Sequence, residues 1–126
     1  MSPTLELFHK GNLVFSSAGS WLHPLFEVEQ FLAASALDPG QCLLRDKLIG
    51  KAAALLIVRM GFREVHAGIL SEPGEAGLSA HAIRYEAIQR VERILCRTEE
   101  LLADTDDPDQ AYERIRQRIE HNGARS

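Results

Sequence analysis

Residues 41–70 read QCLLRDKLIGKAAALLIVRMGFREVHAGIL, and this stretch decides the fold. Gln41 to Arg45 has the length and apolar character of a strand, although its propensity for that state is weak. Gly50-Lys51 opens the run Ala52 to Met60, where three successive alanines favour a helix and apolar residues fall on nearly every side. Such a helix is packed all round, and Gly61 stops it. Glu64 to Leu70 returns as a strand. Strand, buried helix and strand in succession predict a parallel pair joined by a right-handed crossover.

Working outward, Leu5 to His9 and Leu13 to Ser16 flank Lys10-Gly11-Asn12 and predict an antiparallel hairpin. A loop of small residues, Ser16 to Ser20, follows it. Pro24 suits a first helical turn, and Leu25, Val28, Phe31, Leu32 and Ser35 recur at helical spacing, so 24–36 reads as a helix ended by Asp38-Pro39-Gly40. After the central unit, Pro73, Gly74 and Gly77 leave room for only a short helix. His81 to Glu86 alternates as a last strand. From Ala87 the period changes, and Ile88, Val91, Leu95, Thr98 and Leu102 fall on one helical face that runs straight through Cys96. Asp107 caps a final helix with Pro108 at its first position and Ala111, Tyr112, Ile115 and Ile119 on its apolar face. The prediction is an α/β fold, a three-layer α/β/α sandwich with helices on both faces of a mixed sheet of about five strands. It fills one domain over 1–120, with 121–126 a frayed tail.

The composition narrows the function. A chain of 126 residues buries roughly two-thirds of its unfolded surface, enough for a core without disulfides or a structural metal. The net charge of -4 argues against a nucleic-acid partner, because phosphate neutralisation requires an excess of Lys and Arg. Two cysteines, Cys42 and Cys96, form no paired framework, which reads as reduced thiols and a cytoplasmic location. No basic region followed by an apolar stretch marks a signal peptide. Ala52 to Val58 is far shorter than the ~20 residues a membrane span requires.

The segment Asp46-Lys47-Leu48-Ile49-Gly50-Lys51-Ala52-Ala53-Ala54 resembles the D-K-x-x-G-K-A-A-A motif of a small bacterial family of unknown function. The likeness extends to the hairpin, Gly19, Pro24-Leu25, Ser71-Glu72, Tyr85-Glu86 and Asp107 to Tyr112. Cys96-Arg97-Thr98-Glu99 is similar to the family's C-P-x-E element, with Arg97 in place of proline and without the glycine-bearing loop before it. The resemblance implies a cytidine-deaminase-like fold. It does not bring zinc deamination with it, which needs a P-C-x-x-C pair and a glutamate. This chain has no C-x-x-C, and His23-Pro24-Leu25-Phe26-Glu27 has the wrong spacing for H-x-E, so neither metal nor other cofactor is expected.

The candidate site is Asp46, Lys47, Gly50 and Lys51, read as the point where a strand ends and a helix begins, with Gly19 and Trp21 from the small-residue loop. A helix start offers free N–H groups and partial positive charge, Gly50 permits close approach, and two lysines add cationic charge. A small anionic, nucleotide-like ligand is the expected partner, oriented by Asp46 and held by Lys47 and Lys51. The alternative for the same residues is a helix cap with solvated lysines. Cys96, Glu99, Tyr85 and His23 are lesser candidates. Cys96 would be a nucleophile only if its thiol were activated, and Glu92, Glu99 and Glu100 on a shared helix would oppose that. Two further functions stay open: a non-catalytic structural or regulatory interaction module, homo-oligomeric through its helices, and a thiol enzyme using Cys96.

Overall fold

The computed structural model describes residues 3–94 and 97–125. Among them the order is β1 Leu5–His9, β2 Asn12–Ser17, α1 His23–Ser35, a 3-10 turn Pro39–Gln41, β3 Cys42–Ile49, α2 Lys51–Met60, β4 Glu64–Ser71, α3 Glu72–Ala80, β5 Arg84–Val91, α4 Arg97–Leu101 and α5 Pro108–Arg125. The five strands make one mixed sheet in the order β2-β1-β3-β4-β5. β1 pairs antiparallel with both β2 and β3, whereas β3, β4 and β5 run parallel. Lys10 and Gly11 both hold positive φ, 52° and 80°, the backbone that a two-residue hairpin turn needs to match strand twist.

The helices gather on one face. β3, β4 and β5 step across the sheet in one direction, so right-handed crossovers place α2 and α3 on the same side. α1 joins them, with Phe31 against Phe15 of β2 at 5.0 Å between ring centroids. α5 packs on α2 and meets α1 where Tyr112 approaches Phe26. Surrounded in this way, α2 buries six successive residues, Ala52 to Ile57. The α/β sandwich is therefore stacked as sheet, helices, helix, where the sequence predicts helices on both faces. Leu7, Leu44 and Val65 form a buried cross-strand row beneath the helices. The neighbouring row Glu6, Arg45, His66 and Glu86 is half-buried or exposed on the open face. No described helix is long and apolar enough to cross a membrane.

Three local readings change. β3 does not stop at Arg45 but continues to Ile49, because Asp46 pairs with Leu5 on one side and Ala67 on the other. α3 is nine residues long despite its glycines. Pro73 sits in the first turn, Ser71 Oγ accepts the Gly74 N–H at 3.0 Å, and a Cβ at Gly74 would lie 2.8 Å from the Ile49 carbonyl oxygen. That glycine is a contact surface and not a helix breaker. The helix predicted from Ala87 is strand until Val91, since β4 offers ladder partners from Ala67–Ala87 to Ser71–Val91. Backbone pairing outweighs a side-chain period here, and Ile88 ends up 90% exposed. Helix resumes at Arg97; the expected continuity through Cys96 lies outside the described residues. The last helix runs from Pro108 to Arg125.

Candidate functional site

Asp46 and Lys47 lie within β3, so neither caps α2. The cap position belongs to Gly50, and the group that caps the helix comes from far along the chain. Glu99 of α4 accepts the Lys51 N–H on Oε1 at 2.6 Å and the Ala52 N–H on Oε2 at 2.8 Å. A Cβ at residue 50 would overlap that carboxylate. The seat for an anion at the start of α2 is thus taken by the protein's own side chain. Lys51 is also committed, donating from Nζ to the Ala103 carbonyl at 3.1 Å and pairing with Asp106 at 3.0 Å.

Beside this junction is a cleft of about 200 Å³. Gly19, Trp21, Asp46, Lys47, Gly50 and Glu99 all line it, together with Thr4 and Thr98. Six predicted residues therefore converge, and Lys51 stands outside the lining. Larger hollows of about 480 and 610 Å³ lie on the open sheet face, lined by surface charges such as Arg45, Glu64 and Glu86, and the first of them also touches Thr4, Asp46 and Lys47.

The loop wall is held by short hydrogen bonds. Thr4 Oγ1 donates to the Gly19 carbonyl at 2.8 Å, the Gly19 N–H donates to Ser17 Oγ at 3.1 Å, and Ser17 Oγ donates to Glu27 Oε1 at 3.0 Å. Trp21 adopts φ 58°, a backbone that bulky residues avoid at a cost of about 1–3 kcal/mol. Its indole N–H donates to Thr98 Oγ1 at 3.0 Å, fixing one ring edge while the residue remains 42% exposed. His23 meets the Trp21 ring edge-on at 5.2 Å and does not line the cleft. Tyr85 is elsewhere, its hydroxyl 3.2 Å from Ser79 Oγ. Cys96 lies outside the described residues.

Burial pushes the Asp46 carboxyl up to about 7, against the opposing pull of the Leu48 and Lys47 backbone N–H groups. Lys47 is exposed and has no ion-pair partner among the described residues. An acid poised near neutrality can donate a hydrogen bond to an anion when protonated and repel one when ionised. Cys42, in contrast, is a buried free thiol whose pKa is raised by burial and then by Asp38, which suits packing and not chemistry. No group of three His, Cys, Asp or Glu side chains is arranged as metal ligands among the described residues. Thr98 and Thr4 are polar lining residues that sequence reasoning missed: Thr98 meets Trp21 across 77 positions, and neither has a local signature.

A family model described as TM1506, a domain of unknown function (DUF1893), matches residues 7–119. Among solved structures, the chain is similar to the crystal structure of a DUF1893 family protein (TM1506) from Thermotoga maritima. The identity is 23%, the TM-score 0.81, and the match covers 92% of this chain and 80% of that one. At this identity the likeness speaks for the fold. No curated protein matches the chain.

Proposed function

Starting from a chain that belongs to the DUF1893 family of domains of unknown function, we propose that it binds a small anionic molecule in the cleft between the Gly19–Trp21 loop, the end of β3 and Thr98–Glu99. The observation that carries this reading is a single cleft lined by a carboxyl poised near pH 7, Asp46, by Lys47, which has no ion-pair partner among the described residues, and by a strained tryptophan. Glu99 occupies the helix terminus, so the ligand's negative charge meets Lys47 and the acid form of Asp46. Lys51 supports the cleft by anchoring the segment after α4. Nucleotides belong to this ligand class, and the reading of the fold as cytidine-deaminase-like, supported by a hairpin followed by parallel β3-β4-β5 with α2 and α3 between, places them first in a screen. The paucity of cysteines favours a cytoplasmic protein.

A thermal-shift screen of nucleotides, nucleosides and sugar phosphates tests the proposal. A ligand at 100 times its Kd adds about 2.7 kcal/mol of stability. The gain should grow as pH falls through 7 and disappear in Lys47→Ala, whereas Lys51→Ala, corrected for its own stability loss, should keep it. Ligand quenching of Trp21, the one tryptophan in the chain, gives an independent readout. A panel that shifts nothing, or a shift indifferent to both Lys47→Ala and Asp46→Asn, refutes the site. A second reading, an interaction module, draws on a separate observation: Ile88 is 90% exposed on an edge strand. Cys96 enters neither reading.

A further inference from the structure

Resting on that reading of the cleft, we propose that the molecule it takes is a flat apolar ring bearing a single negative charge, of which an aromatic carboxylate is the simplest case. Phosphate dianions and polyphosphates are turned away. Four large hydrophobic side chains are exposed among the described residues, and two of them, Trp21 at 42% and Leu48 at 48%, line this one cleft. Pro24, Ala52 and Ile94 extend the same apolar lining. Exposed hydrophobics scattered singly need no explanation, but two gathered in one concavity mark a surface that a ligand covers. Trp21 is also set in advance. Its backbone holds φ 58° and its indole N–H is tied to Thr98 Oγ1 at 3.0 Å, so little freedom remains to be lost when a ring stacks on it. The cleft of about 200 Å³ is smaller than the ~300–1,000 Å³ of sites for drug-sized molecules and suits one ring with one small substituent.

The charges decide which anion enters. Among the described residues Lys47 is the one cation in the lining, whereas Asp46 and Glu99 both bring carboxyl groups to it. Lys51 is paired with Asp106 and stands outside the lining. One negative charge on a ligand is therefore matched by Lys47; a second finds no cation and meets Asp46 or Glu99. The adjoining hollow of about 480 Å³, which shares Thr4, Asp46 and Lys47, gives no relief. It adds Glu6 and Glu86 against Arg45, whose guanidinium already lies 3.8 Å from the Glu6 carboxylate, and His66 there faces Glu86 at 3.5 Å. Like charges a few ångströms apart in a partly enclosed site repel strongly enough to cost a ligand about tenfold or more in affinity. Fold analogy puts nucleotides first in a screen, but the lining ranks them below a ring carboxylate.

Titration of the full chain at neutral pH, followed by Trp21 fluorescence and thermal shift, tests this with benzoate, phenyl phosphate, acetate and AMP. Phenyl phosphate keeps the ring and adds a charge; acetate keeps the charge and lacks the ring. Benzoate should bind about tenfold or more tightly than each of the others. Asp46→Asn and Glu99→Gln, each checked as folded by circular dichroism, remove one carboxylate and should narrow the gap between phenyl phosphate and benzoate. A phosphate that binds as tightly as benzoate and is lost in Lys47→Ala overturns this inference while the anion cleft stands, and so does acetate equal to benzoate. A gap that neither variant moves overturns it too. Silence from all four probes has the same result, and takes the cleft reading with it when the wider screen is also silent.

Discussion

Glu99→Ala should lower the stability of the chain by about 2–4 kcal/mol in urea unfolding at neutral pH, with most of the effect lost when Gly50 is already changed. The first N–H groups of a helix have no partner within it and must find one elsewhere. At α2 they find both oxygens of a single carboxylate, at 2.6 and 2.8 Å. Hydrogen bonds to charged groups contribute about 1.5–3 kcal/mol each, and the dipole at a helix N-terminus adds a few tenths to 1 kcal/mol; partial exposure holds the sum to the stated range. Glu99→Gln keeps one acceptor oxygen and loses the charge, so it should cost about half as much. Gly50 has an extended backbone that any residue can adopt, φ -101° and ψ -168°. Alanine there should harm only by displacing the carboxylate. Gly50→Ala and Glu99→Ala should each be costly alone and far less than additive together, a coupling of about 2 kcal/mol in a double-mutant cycle. Additive losses, or a loss below about 1 kcal/mol for Glu99→Ala, would show that the cap does not hold α2.

Asp46→Asn should stabilise the protein above pH 7 by up to about 4 kcal/mol and change little near pH 4. The folded carboxyl titrates near 7, well above its unfolded value, because burial penalises the charge. A raised acid favours folding fully only below its unfolded pKa, about 3.9. That contribution is lost as pH rises to the folded value and is gone beyond it. Asparagine cannot ionise, so the variant should lack this fall between about pH 4 and 7. Unfolding midpoints measured at several pH values decide the matter. A stability difference between variant and parent that is the same at pH 4.5 and pH 8 would mean that Asp46 is ionised normally and the cleft has no poised acid. The expected gain also has a functional meaning. A chain that retains a destabilising carboxyl in a cleft bears a cost that binding could offset.

Several elements were legible because their signals are local. The hairpin needs only Lys10-Gly11 between two apolar runs, and α2 needs only its alanines between Gly50 and Gly61. Asp107 could be named as a cap from its spacing, and it accepts the Gln110 N–H at 2.9 Å. The misread stretches share a different cause. Ile88 and Val91 fit a helical face as well as a strand, and the choice belonged to β4, whose free edge lies about twenty residues back in the chain. Asp46 looked like a helix start because the sequence shows where β3 begins but not how far β1 and β4 hold it in register. Gly74 looked like a breaker because the Ile49 carbonyl it clears is invisible in one dimension.

For the cleft, the residue types Asp46, Lys47, Gly50, Gly19 and Trp21 could be picked from the sequence, and the structure brings them together. Their roles could not. The sequence by itself determined the α/β class, the central strand-helix-strand unit and the cationic and acidic groups near its turn, since periodicity and turn chemistry act between near neighbours. Only the tertiary structure decided that Glu99 takes the start of α2, that Lys51 turns away to Asp106, and that burial lifts the Asp46 carboxyl to about 7. Charge, solvation and hydrogen-bond supply depend on what packs nearby in space, and here that came from 48 residues along the chain.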